Sequence, residues 1–345
     1  MYRLISFVII VVVMLANNFP MKTQDNRCES NRIFFHSDDE QSHAYRILNV
    51  DTLEVVDIPN GHLIDSLPTW SPAVSRIAFT SYLERGFAIY VMNQDGSGLQ
   101  QIAEVLGEST PLIWSPDGTS IAFHREFETF VVELATNEVR QVTDGTNFTL
   151  PLDWSLDGSE LIVSEQEPGI SVSLSRVDVA TGKKYVLTEA QDGVYDWFVS
   201  QTPDGEILFN SNRLTENLSL HKLDVDTGTI SVYMESFVYG LSWTSDKRKF
   251  IFMSSQPIGH PNQTLQNIFF TDWLTGETTQ ITDDWTVAHE NYMKPALSPD
   301  EHRIVFESFS DSDYELYIID SDGNNLRQLT FNNNNDTLPL WIPCE

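Results

Sequence analysis

The chain has 345 residues, 41% of them apolar and 11% aromatic, which is enough for a large packed core and excludes wholesale disorder. Fifty acidic residues against 20 basic ones leave a net charge of −30, which repels phosphate backbones and anionic headgroups and argues against nucleic acid as a partner.

Taken in chain order, Arg3 precedes an apolar run from Leu4 to Ala16. The run is shorter than the roughly 20 residues a bilayer-spanning helix needs, so residues 1–18 are expected to be a signal peptide. An uncleaved signal anchor, holding the protein to a membrane through residues 4–16, is the alternative, because Ala16 is the lone small residue in "MLANN". Residues 19–27 follow as a linker, and 28–345 as one folded domain of extracytoplasmic location, periplasmic or secreted. Asn147, Asn217, Asn262 and Asn335 head Asn-x-Ser/Thr triplets, a pattern expected by chance in a chain this rich in those residues.

Two landmarks then repeat. The first is a Trp-Ser-Pro-Asp-Gly turn in varied form, at Trp70, Trp114, Trp154, Gln201, Trp243, Leu297 and Trp341. The gaps between successive copies are 44, 40, 47, 42, 54 and 44 residues. The second is a short polar turn such as "QDGSG" at 94, "ATGK" at 180 and "DTGT" at 226, where Gly supplies the positive φ of a tight hairpin. An apolar triplet follows each first landmark except the last, as in Ile77-Ala78-Phe79, Ile121-Ala122-Phe123 and Ile304-Val305-Phe306, and a seventh triplet, Ile33-Phe34-Phe35, stands near the amino end. Each period reads as four short strands rich in Val, Ile, Phe and Thr, and four antiparallel strands repeated every 40 to 50 residues describe an all-β fold, a β-propeller.

The count predicts seven four-stranded blades, with blade 1 assembled from both termini: its second to fourth strands from residues 32–58 and its first strand from 337–341. Such closure removes an open sheet edge. A six-bladed ring with loose terminal strands is the alternative. Cys344 takes the slot of Asp117 in the turn, and Cys28 lies five residues before Ile33, so a Cys28–Cys344 disulfide is expected to replace the missing peptide link.

At the Trp-Ser-Pro-Asp-Gly turns and Ile-Ala-Phe strands the chain resembles the TolB-like, or PD40 (WD40-like), propeller repeats, over residues 33–343. The resemblance implies the fold and leaves the activity open, since such repeats occur in TolB, in prolyl-oligopeptidase-type peptidases and in oligogalacturonate lyases. Too few residues precede Ile33 for the α/β domain of TolB; no Gly-x-Ser-x-Gly elbow and no His-x-His pair occur. Without a catalytic motif, the expectation is an exported scaffold that binds a protein or glycan as a monomer and without a cofactor. The alternative is a metal-dependent carbohydrate-active lyase or hydrolase with a divalent cation in the central channel.

Propeller geometry gathers the strand 2–3 loops and the connections between blades at one end, where binding residues are expected. Arg85, Arg125 and Arg213 occupy matching strand 2–3 loops and could meet an anionic group, with neutralisation of Glu84 and Glu126 as the plainer role. The longest blade adds Trp285, His289, Glu290 and Tyr292, which combine aromatic area with polar handles.

Overall fold

A computed structural model describes residues 31–38, 43–84, 86–105, 111–145, 147–167, 171–244, 246–254, 267–282, 295–310 and 313–342. Cys28, Cys344, Arg85, Trp285, His289, Glu290 and Tyr292, with residues 1–27, expected to be leader and linker, lie outside them.

Seven four-stranded antiparallel sheets make a seven-bladed β-propeller. Each sheet runs in the order strand 1-2-3-4, which keeps every connection local. The chain divides into two units, and each is described by itself. One, Leu63–Glu235, holds blades 2 to 5, with strands between residues 69–105, 113–141, 148–186 and 196–234. The other, drawn from Pro20–His62 and Ser236–Glu345, holds blade 6 (239–280), blade 7 (296–328) and blade 1. Blade 1 takes Asn335–Trp341 as its first strand and Arg32–Asp38, His43–Asn49 and Val55–Asp57 as the other three, so the expected stitching of head to tail is present. Ile33 pairs with Trp341 and Ser37 with Asp336.

The triplet has a simple physical basis. Successive strand residues point to opposite faces, and in blade 3 Ile121 and Phe123 pack with blade 2 while Ala122 packs with blade 4. In blade 7 Ile304 and Phe306 join blade 6, and Val305 joins Ile33, Phe35 and Trp341 of blade 1. All of these are buried on both faces, so the strand reads as a continuous apolar run rather than an alternation.

The landmark tryptophan is a fastener between blades. Trp114 Nε1 donates to the Thr69 carbonyl at 3.1 Å, Trp154 Nε1 to Ile113 at 3.0 Å, and Trp341 Nε1 to Ala296 at 2.9 Å. Each acceptor immediately precedes the landmark residue of the blade before it. In blade 5, where Gln201 replaces Trp, the Gln201 amide donates to the Trp154 carbonyl at 2.5 Å. The Asp of the turn accepts local donors: Asp157 Oδ1 takes the Ser159 N–H at 3.0 Å and the Ser155 hydroxyl at 2.7 Å. The Ser159 amide and these hydroxyls hold its carboxyl down at about 2.

Candidate functional site

The strand 2–3 hairpins and the connections between blades leave the same end of each sheet. In blade 3 the hairpin is minimal: Arg125 pairs with Glu128, so Glu126 and Phe127 alone make the turn. Both have positive φ, 51° and 76°. A two-residue turn of this hand is ordinarily built with Asn and Gly, because a side chain in the left-handed region costs roughly 1–2 kcal/mol. Here a glutamate and a phenylalanine are held there. Phe127 O accepts the Thr149 N–H at 2.9 Å, tying the tip to the first strand of blade 4. Beneath it, the Thr143 hydroxyl contacts Glu128 Oε2 and lies 3.0 Å from the Thr149 hydroxyl, itself 3.1 Å from that of Thr129.

The tip is aromatic and exposed. Phe127 is 61% exposed and meets the Phe148 ring edge-on at 5.9 Å, while His124 tilts against Phe148 at 4.7 Å and its Nδ1 lies 2.8 Å from the Thr149 carbonyl. Burial lowers the His124 pKa. Arg125 sets its guanidinium 3.9 Å over the Phe130 ring. In the neighbouring blade 2, Tyr82 stands 65% exposed at the corresponding hairpin, edge-on to Phe87, with its N–H donating to Asp65.

Arg213, at the matching loop of blade 5, is an ion-pair partner of a buried carboxylate: its Nη2 lies 2.5 Å from Asp196, and its side chain is 8% exposed. It also donates to the Glu189 carbonyl at 2.8 Å. The Asp196 oxygen left over accepts the Ser211 hydroxyl at 2.6 Å. The same pair recurs at this end of blade 1, Ser37 to Asp336 at 2.6 Å, and of blade 2, Ser81 to Asp65 at 3.3 Å. Each serine stands two residues after its triplet, a periodic signal in the sequence that the landmarks overshadow.

Blades 7 and 1 bury three acids that the sequence did not single out. Glu307 and Asp336 are fully buried, and Glu315 nearly so. Burial raises all three pKa values, that of Glu315 to about 7. One oxygen each of Glu307 and Glu315 lacks a hydrogen-bond partner. Elsewhere in this unit, at the opposite end of its sheets, an open groove of about 820 Å³ is lined by Asp300, Asp320, Asp322, Lys249, His302 and Arg303 among others. Among the described residues, no group of three or more His, Cys, Asp or Glu is placed to hold a metal ion, and no helix is long and apolar enough to cross a membrane.

Solved structures place this architecture among known ones. TolB from Acinetobacter baumannii is 16% identical over 98% of this chain and 93% of its own, with a TM-score of 0.54. An oligogalacturonate lyase from Vibrio parahaemolyticus is 15% identical over 86% of this chain and 84% of its own, with a TM-score of 0.60. A prolyl endopeptidase is 11% identical with a TM-score of 0.64, but this chain, 96% covered, spans only 52% of its length. At such identities the likeness establishes the fold alone. No curated protein matches the chain. The TolB beta propeller domain (PD40) model matches residues 15–235, well over half of the sequence, and the chain belongs to that family.

Proposed function

We propose that the chain is an exported, non-catalytic, monomeric scaffold that binds a partner protein or glycan through its strand 2–3 hairpins and the connections between blades. The apolar leader read from the sequence supports export. One observation supports binding at this end of the sheets in each unit. Five described aromatic side chains are prominently exposed, and four of them, Tyr82, Phe127, Phe309 and Phe331, sit on these hairpins and connections; the fifth, Tyr185, lies on an outer strand. Exposed aromatics offer large contact area at little conformational cost and are enriched in binding hot spots.

The test is co-purification of partners from the extracytoplasmic fraction of the native source, using the full chain and a Tyr82→Ser/Phe309→Ser double variant. The double variant is expected to melt at the same temperature and to lose the partner. Equal capture by both chains, or turnover of a polysaccharide with a stoichiometric metal in protein purified without chelator, would overturn the reading.

A further inference from the structure

Resting on that binding role, we infer that the Glu126–Phe127 hairpin and its neighbour at Tyr82 form a preorganised docking point for a basic segment of a partner protein that carries an apolar anchor side chain. Three observations converge on these hairpins, within blades 2 to 4. The first is the strain at Phe127. Its φ of 76° would suit glycine, yet a ring stands there, 61% exposed. Strained conformations persist where the surroundings over-determine them, and they cluster at recognition sites. Here the hydrogen bond from Thr149 and the buried threonine–Glu128 contacts supply the constraint.

The second is the pairing of aromatics. Phe127 meets Phe148 edge-on and Tyr82 meets Phe87, contacts that restrict each exposed ring before binding and lessen the rotamer entropy left to be lost. The third is charge. Glu84, Glu104 and Glu126 are exposed at this end of blades 2 and 3 and outnumber the two arginines of these hairpin sequences, Arg85 and Arg125, of which Arg125 is drawn back over Phe130. With −30 overall, long-range attraction selects a cationic partner and repels an acidic one. The rings then supply the apolar contact that charge alone cannot.

Synthetic peptides graded in net charge, each with and without one central leucine, test this by fluorescence anisotropy on the full chain and on Phe127→Gly. Binding is expected for cationic leucine-bearing peptides, to weaken with added salt and by about tenfold or more in Phe127→Gly. The same variant is expected to melt at or above the temperature of the unsubstituted chain, because glycine relieves the turn. Three outcomes would overturn the inference: equal affinity of both chains, neutral or acidic peptides binding as tightly as basic ones, or a lower melting temperature for Phe127→Gly, which would make the ring a packing element. If these appear while the native partner is still captured through Tyr82 and Phe309, the basic-segment docking point falls and the scaffold role stands.

Discussion

The backbone N–H of Leu338 donates to the carboxyl of Glu307 at 2.7 Å, across the joint between blade 7 and the closing strand of blade 1. Leu338 has a φ of 57°, at a bulge where the pairing register shifts between Phe34 and His36. The equivalent bulge in blade 6 uses Gly240, φ 62°. Glu307 therefore supplies the side-chain acceptor for a part-buried amide at a strained residue, and burial raises its own pKa well above the ordinary carboxyl value. Glu307→Gln retains a carbonyl acceptor and is expected to fold with stability equal to or above the unsubstituted chain at neutral pH. Glu307→Ala orphans the Leu338 amide and is expected to cost about 1–3 kcal/mol. Chemical denaturation of the two variants distinguishes these outcomes.

The buried acids also set a pH dependence of unusual sign. Glu315, raised to about 7 by burial and by the nearby Asp336 and Asp313 carboxylates, binds its proton more tightly folded than unfolded. Its contribution to stability is complete below the ordinary value of 4.5 and is lost as pH rises through about 7. Glu307 and Asp336 act in the same direction. The turn aspartates act oppositely: Asp157, held at about 2, and Asp246, lowered chiefly by the Arg248 amide, favour the fold above their ordinary range and lose that effect in acid. His36, His124 and His221, whose pKa values burial lowers, oppose the buried acids between pH 8 and 5, so the contribution of the acids is read as a difference between chains, while the turn aspartates add a loss of stability below about pH 4. The melting temperature of Glu315→Gln is expected to gain on that of the unsubstituted chain as pH rises from 5 to 8. A difference between the two chains that stays constant from pH 5 to 8 would contradict the assignment.

Why the fold was readable and the site only partly so follows from what each demands of a side chain. Trp114 and Trp154 must fill the same gap and reach the same carbonyl in successive blades, so the residue recurs at a fixed place. Ile121 and Phe123 likewise face one neighbour and Ala122 the other, which writes the triplet into every period. Phe127 repeats nothing: its neighbours Glu126 and Glu128 look like ordinary hairpin residues, and neither the positive φ nor the exposure leaves a mark in composition. Arg213 illustrates the converse, since its place at a matching loop was evident but its buried partner Asp196, 17 residues earlier, was not.

The strand 3–4 turns make a direct test of backbone strain. Gly182, Gly228 and Gly276 occupy the left-handed position there with φ of 70° to 71°, whereas blade 1 places Leu53 at 58°. Leu53 is exposed, so little packing is at stake. Leu53→Gly removes the steric penalty at the expense of some unfolded-state entropy and is expected to stabilise by about 0.5–1 kcal/mol. A melting curve shifted downward would mean that the leucine has a packing role its exposure conceals.

Closure of blade 1 rests on Trp341, which both pairs with Ile33 and caps the apolar cluster formed by Val305, Leu316, Ile318 and Leu329. Its indole donates to Ala296, and the Arg303 guanidinium lies 5.2 Å from its ring. These contributions separate by substitution. Trp341→Phe keeps most of the ring area but leaves the Ala296 carbonyl without its donor, for an expected loss of about 1–2 kcal/mol. Trp341→Ala opens a cavity at the joint as well, and is expected to cost about 3–5 kcal/mol. If the terminal strand closes blade 1 in solution, the larger change should also raise amide hydrogen exchange across residues 32–38, whose hydrogen bonds on one side depend on that strand, while Trp114→Phe, equivalent in chemistry but interior to the chain, should leave that exchange unchanged. Unaltered exchange at 32–38 in Trp341→Ala would show that blade 1 holds together without its carboxyl-terminal strand.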